Sequence, residues 1–384
     1  MRLGRAWGAA CVLAAAFPGA AAPPLHRSEV DIHVTAVVDA MTRGDSSLAL
    51  SKVEGMLRRW PDFRLAHLLR GDLLRIRAGG LGSIGGGRVV GEDLEGFLAE
   101  IRSRLEPAPT GAFPEQLVRI PGRTECVLAA DLGRGRLYVF RRRGGDFELS
   151  GDLYIVSGRE GAGKTREGDE RTPIGVYSIV GHIPEKRLPE FYGAGALTLD
   201  YPNEWDQRRG RTGSGIWIHG TPRETLVRPP RSSRGCLALA NEDFLWLAKQ
   251  VRPGKTVVLI DRALSWNRSE QWQRSRDRLL EAVGRTRSRP ETAGLEVVLY
   301  PDENGLAMVR GGGRHNGRRR VEFWWLQDGR WSPEAAGRIA SRNAPGGSGG
   351  VAAMAGAQPV ADQTRRQVGV LMRSREDSGV PPNR

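Results

Sequence analysis

The sequence predicts a mainly β domain, a sandwich or barrel, preceded by a helical region and followed by a small α+β segment. Three observations carry that expectation. From Thr124 onward, short apolar and β-branched runs alternate with glycine-rich turns such as Gly133-Arg134-Gly135 and Gly144-Gly145. Earlier in the chain, Leu48, Val53, Met56 and Leu57, then Leu65, Leu68, Leu69 and Leu73, recur at helical spacing. Past residue 266, one helical stretch is followed by three strand-like runs.

The first residues read as a cleaved export signal over 1–22. Arg2 and Arg5 open it, Ala6–Phe17 is apolar, and Gly19-Ala20-Ala21-Ala22 offers small residues for cleavage. That run is too short for a stable membrane anchor. Cys11 would suggest lipidation, but Gly8 stands where a lipoprotein signal usually has Leu. Residues 28–105 form the helical region. Pro61 interrupts its pattern, and with Ala49, Trp60-Pro61 and Ala66 the pair resembles one tetratricopeptide-like hairpin. A single hairpin cannot bury its own face, so it needs further helix or the rest of the chain against it. Gly79–Gly87 reads as a linker, 92–105 as another short helix, and prolines at 107, 109, 114 and 121 mark a boundary.

The strand series occupies 124–262: Cys126–Ala130, Arg136–Phe140, Phe147–Val156, Ile174–Val180, Leu197–Leu199, Ile216–Ile218, Cys236–Leu239 and Thr256–Ile260. One helix, Asn241–Val251, opens on an Asn cap with Glu242 and Asp243 in its first turn. In 266–340 a helix from about Asn267 to Val283 precedes strands at Leu295–Tyr300, Leu306–Val309 and Arg320–Trp325. This segment faintly resembles the closing part of an NTF2-like domain, shortened or degenerate. Residues 341–384, rich in Gly, Ala, Arg and Ser, read as a disordered tail.

The 384 residues carry a formal charge of +14, and only five of the 58 basic residues are lysine. Such a surface suits an anionic polymer: nucleic acid, cell-wall material or a membrane face. No arginine-rich helix with interleaved aromatics singles out nucleic acid. Hydrophobic residues at 39% fit a soluble globular protein.

The chemistry concentrates in Ile216-Trp217-Ile218-His219-Gly220 and Ser233-Arg234-Gly235-Cys236-Leu237. The first run delivers His219 to a strand end, where Gly220 and Pro222 break the ladder. The second delivers Cys236 on a turn whose Gly235 lets amides aim at a developing oxyanion. A cysteine nucleophile reacts as thiolate, and an adjacent imidazole can supply that state. Without the leader, Cys126 and Cys236 remain, which also admits a disulfide in an oxidising compartment. Cys126 sits in an apolar run where a buried free thiol is ordinary. The stretch Gly158-Arg159-Glu160-Gly161-Ala162-Gly163-Lys164-Thr165 satisfies the P-loop pattern, and Val257–Ile260 with Asp261 resembles its companion motif. A P-loop must open a helix, however, and the polar run to Thr172-Pro173 has no helical period. No nucleotide is expected. His26, His33, His67, His182 and His315 lack ligand spacing, so neither metal nor cofactor is expected.

At these residues the sequence resembles the L,D-transpeptidase family of bacterial cell-wall enzymes, the YkuD-type catalytic domain. That family carries His-Gly and then Ser/Thr-x-Gly-Cys at about this distance, and the likeness extends upstream to Gly168-Asp169-Glu170-Arg171-Thr172-Pro173-Ile174-Gly175-Val176-Tyr177. Phe191-Tyr192-Gly193, then Tyr201-Pro202-Asn203 with Asp206, resembles the subgroup of proteobacterial periplasmic murein enzymes. The resemblance implies a periplasmic enzyme of wall biogenesis and cell shape. Cys236 would attack the carbonyl before the terminal D-Ala of a peptidoglycan stem tetrapeptide, with His219 as proton carrier. The Gly220 carbonyl would orient the imidazole, and amides of Arg234, Gly235 and Cys236 would form the oxyanion hole. Ser233 would fix the turn, and Phe191, Tyr192, Tyr201 and Asn203 would line the substrate groove, although aromatics in this pattern serve packing equally well. The acceptor would be an amine on another stem or on a wall-linked protein. Water as acceptor would make the same acyl-enzyme a murein hydrolase or L,D-carboxypeptidase. A non-catalytic wall-binding scaffold is the third reading. Many members have His where this chain has Arg234, whose guanidinium beside the thiol would favour the thiolate.

Overall fold

Four helices of fourteen residues each, α1 (Glu29–Thr42), α2 (Ser46–Arg59), α3 (Arg64–Arg77) and α4 (Glu92–Leu105), build the N-terminal region of the protein, here a computed structural model. The structure describes residues 24–79, 92–266, 270–286, 294–315 and 318–334. The expected leader over 1–22, the expected disordered tail over 341–384 and most of the glycine-rich stretch 79–87 lie outside them. The hairpin expected around Pro61 is α2–α3. Asp45 caps α2, accepting from the Leu48 N–H at 2.8 Å. Its apolar stripe is closed by α1 and α4: Val34 and Val37, Val53 and Met56, Leu65 and Leu69, Phe97 and Ile101 form one core. This supplies the additional helix that a lone hairpin requires.

The helices meet the main sheet through charges. Strand β1 (His26–Arg27) precedes α1, and β2 (Leu117–Arg119), β3 (Cys126–Asp131), β4 (Arg136–Arg143) and β5 (Asp146–Tyr154) follow α4. Arg136 of β4 binds Asp31 of α1 and Asp152 of β5, both at 2.7 Å, and Arg104 of α4 binds Asp31 and Glu100. All five side chains are buried. Removing one partner from such a network leaves a dehydrated charge and costs about 3–5 kcal/mol.

The remaining elements are β6 (Gly175–Pro184), β7 (Gly195–Leu199), α5 (Glu204–Arg208), β8 (Trp217–His219), β9 (Leu237–Ala238), α6 (Asn241–Gln250), β10 (Thr256–Asp261), α7 (Glu270–Arg285), β11 (Glu296–Leu299), β12 (Leu306–His315), β13 (Arg318–Gln327) and β14 (Arg330–Pro333). Nine strands make the main sheet in the order β1-β5-β4-β3-β10-β6-β7-β8-β9. Its parallel pairs are β1–β5, β3–β10 and β8–β9. The sheet curls until Val156, just past β5, bridges Ala238 of β9 through N–H···O bonds of 2.9 and 3.0 Å. The unit built on this sheet is thus a curled half-barrel, within the sandwich-or-barrel class that the sequence predicts.

Both faces of its centre are covered, which explains why β3 and β10 read as unbroken apolar runs. Cys126, Leu128 and Ala130 point into the curl with Leu247 of α6, whereas Val127 and Ala129 face Val298, Met308 and Phe323 of a second sheet. That second sheet runs β14-β13-β12-β11-β2, so the proline-marked boundary stretch contributes its edge strand. Leu279 and Val283 of α7 cover its other face against Val297, Trp324 and Trp331. Asn241 does not cap α6 as expected. Ala240 holds the cap position, and the Asn241 side chain reaches across to other loops. None of the described helices is long and apolar enough to cross a membrane.

Candidate active site

Strands β8 and β9 run side by side, with Ile218 opposite Leu237 and His219 opposite Ala238. Alternation then divides their side chains between two faces. Ile216, Ile218, Leu237 and Leu239 enter the main core. Trp217 and Cys236 turn the other way, into a cluster with Tyr192. His219 shares that second face: its ring lies 5.0 Å from Tyr192 and 6.0 Å from Phe191. The register therefore brings the predicted base and nucleophile to one side of two adjacent strands.

His219 is buried, with Nδ1 2.6 Å from the Gly220 carbonyl. A carbonyl only accepts, so Nδ1 carries the ring proton and Nε2 is left as the basic nitrogen. Burial pushes the imidazole down to about 4, partly opposed by the Gly220 bond and assisted by the nearby Arg228 cation. The Gly220 loop is fixed by Asn241, whose Oδ1 accepts from Ala194 and Thr221 N–H groups and whose Nδ2 donates to the Thr221 carbonyl. A Cβ at Gly220 would collide with that amide.

The cysteine turn is held from two sides. Ser233 donates its hydroxyl to the Cys236 carbonyl at 2.6 Å and accepts from the Gly235 N–H at 3.0 Å. Thr172, fully buried, donates to the Gly235 carbonyl at 3.0 Å and accepts from the Gly158 N–H at 2.8 Å. Gly235 has φ +115, and a Cβ there would press on the Arg171 carbonyl at 2.6 Å. Only glycine suits both conditions. The Cys236 thiol donates to the Gly215 carbonyl at 3.3 Å. Burial lifts it to about 11, opposed by the Trp217 N–H and the Lys164 cation. At neutral pH the pair rests as thiol and neutral imidazole.

Several expectations change here. Arg234 is exposed, and its field falls on Tyr192; the cation that acts on the thiol is Lys164. Lys164 is buried, bound to Asp169 at 2.9 Å and to the Arg166 carbonyl at 2.8 Å, and belongs to the run that matches the P-loop pattern. That run forms a loop, as its missing helical period requires. The Gly235 amide is engaged by Ser233, so it is not free for the oxyanion role expected of it. Tyr192 stands at the site. Tyr201 and Asn203 do not line it, because both are buried and satisfied elsewhere. Tyr201 donates to the Thr212 carbonyl, and Asn203 caps α5 while donating to the Val176 carbonyl and the Tyr300 hydroxyl. Phe191 stands at the site, as the aromatic run around it allows, whereas Arg228 and Lys164 carry no role in the sequence reading. The Lys164–Thr165 motif is visible in the sequence, where the missing helix sets its nucleotide reading aside. Among the described residues no group of three His, Cys, Asp or Glu side chains converges as a metal site. A cavity of about 770 Å³ lies elsewhere, between the β4–β5 hairpin and α7, lined by Phe113, Phe147 and Trp272.

Residues 127–260 match the profile of the YkuD family, the L,D-transpeptidase catalytic domain. That match covers about a third of the chain, the part that holds His219 and Cys236. Among solved structures it is similar to Bd1075 of Bdellovibrio bacteriovorus, at 21% identity and a TM-score of 0.46 over 58% of this chain and 96% of that one. It is similar to the helical cell shape determining protein Pgp2 of Campylobacter jejuni, at 18% identity and a TM-score of 0.44 over 57% and 94%. An L,D-transpeptidase from Mycobacterium smegmatis shares 15% identity at a TM-score of 0.24 over 35% and 58%. No curated protein matches the chain.

Proposed function

We propose that the protein is an exported, periplasmic cysteine L,D-transpeptidase acting on peptidoglycan stem peptides. The observation that supports this reading is the placement of His219 and Cys236 on one face of β8–β9, with Nε2 as the basic nitrogen. Cys236 turns from the Gly215 carbonyl toward the imidazole and passes its proton to Nε2. The sulfur attacks the carbonyl before the terminal D-Ala, and the Arg234 and Cys236 amides receive the oxyanion. The C–N bond then breaks, the imidazolium returns its proton to the departing D-Ala amine, and a thioester remains. An amine of a second stem, or of a wall-linked protein, attacks that thioester and regenerates the thiol. Water in the amine's place would make the same intermediate a carboxypeptidase.

The test is direct. The purified protein is incubated with defined disaccharide tetrapeptides, and products are read by mass spectrometry beside Cys236→Ala. Crosslinked dimers support transfer, shortened monomers support hydrolysis, and profiles identical for both proteins overturn the enzyme reading.

A further inference from the structure

The loop between His219 and Ser233 carries three arginines in different circumstances. Arg223 is exposed and pairs with Glu185 at 2.6 Å, and Arg231 is exposed. Arg228 is half-buried. Its guanidinium carbon lies 4.3 Å from the centroid of Phe191, and its backbone carbonyl accepts from the Tyr154 hydroxyl at 3.0 Å. Among the described residues no carboxylate pairs with Arg228 and no acceptor takes its side-chain N–H groups. Burial lowers its pKa with no opposing anion. A partly dehydrated cation without a counter-ion is unfavourable, and an anion from outside relieves it.

Its position narrows which anion. The Phe191 ring that Arg228 covers lies 6.0 Å from the ring of His219. Arg228 is the charge that acts on His219, whereas Cys236 feels Lys164. Arg228 therefore stands on the imidazole side of the site. In the reaction proposed above, that side holds the scissile nitrogen, which takes its proton from His219. The next groups beyond that nitrogen are the leaving residue's Cα and its terminal carboxylate.

We infer that Arg228 receives the terminal carboxylate of the leaving residue, restricting the donor to peptides that end in a free acid. The inference rests on the acyl-transfer reading and deepens it. Stacking on Phe191 holds the guanidinium plane and leaves its edge for a two-pronged bond to a carboxylate. Filling the site also neutralises the cation that disfavours the imidazolium, so His219 becomes a stronger base when substrate is bound. Departure of the D-Ala restores the unpaired cation.

The test uses the full-chain protein and two tetrapeptides alike except at the end, one a D-alanine acid and the other its carboxamide. The wild type should prefer the acid by about 10- to 100-fold in kcat/KM, the range of one charge-assisted contact. Arg228→Gln should reduce that preference below about threefold by slowing the acid alone, and Arg228→Lys should be intermediate. A Gln variant that slows both peptides equally, or keeps the wild-type preference, overturns the inference. Calorimetric binding of both peptides to Cys236→Ala, with and without Arg228→Gln, decides the same point without turnover. A wild type that turns over neither peptide sinks the enzyme reading, and the binding comparison still judges Arg228.

Discussion

The surroundings of Cys126 and Cys236 are alike in one respect and different in everything that matters for reaction. Both thiols are unpaired. Burial raises both, Cys126 to about 12 and Cys236 to about 11. A depressed thiol pKa, the usual mark of a reactive cysteine, is absent from each. Cys126 points into the sheet core among Leu128, Val139 and Val258, where nothing can approach it. Cys236 sits where a strand has barely begun, on a glycine turn, on the same face of β8–β9 as His219, and Tyr192 is a neighbour of both. In the proposed reaction, reactivity comes from delivery of a base and amides to a protonated sulfur, not from a preformed thiolate.

The largest effect separates the two directly. Cys236→Ala should lower transpeptidation or hydrolysis by more than about 1000-fold, since it removes the proposed nucleophile. Cys126→Ala should leave kcat/KM within about threefold and lower stability by about 1 kcal/mol, the cost of a small buried side chain. Muropeptide turnover and thermal unfolding of both variants check this. An active Cys236→Ala ends the comparison. Alkylation sharpens it: iodoacetamide on native protein should modify Cys236 well before Cys126, with a rate that climbs toward pH 11. Equal labelling of the two would mean that the core around Cys126 opens readily.

A smaller effect probes the turn. Thr172→Val keeps the shape but leaves the Gly235 carbonyl and the Gly158 N–H without their partner. Two unpaired buried groups should cost about 2–4 kcal/mol of stability. A turn no longer held from the Thr172 side should cost about tenfold in kcat at unchanged thiol count. Thr172→Ser should restore most of both. Full activity in the Val variant would show that Ser233 alone aims Cys236.

Much of this was legible because backbone pattern and chemistry coincide. Short apolar and β-branched runs between glycine-rich turns located eleven of the strands near their observed positions, and the glycine at 235 announced the turn. The strand Leu117–Arg119 was not legible: three residues among prolines give no pattern, and it exists because β11 offers it an edge. Tyr201 and Asn203 failed for a related reason. Their residue types suit a groove as well as a core, and only packing against Tyr177, Tyr300 and Val176 decides. Lys164 reads as a phosphate ligand by motif, and only the fold brings its charge to Cys236. Arg228 left no signal at all, since an unpaired arginine is defined by the acid that is missing in space.

The smallest effect is expected where an ordinary histidine would give a large one. An imidazole titrating near 6.5 is about 97% protonated at pH 5 and would cost a base-dependent rate about thirtyfold. With His219 held at about 4, kcat/KM should change less than about twofold between pH 7 and pH 5 and fall only as pH approaches 4. Stability moves differently. The unfolded chain protonates this histidine below about 6.5 and the folded one only near 4, so the folded state loses ground as pH falls through that interval, by about 3 kcal/mol in all. Circular dichroism at each pH separates lost fold from lost base. A rate that halves near pH 6.5 in fully folded protein would place His219 in water, and the contrast with Cys126 would then rest on an ordinary, exposed dyad. In Arg228→Gln the acid limb should move upward, because the cation that opposes the imidazolium is gone.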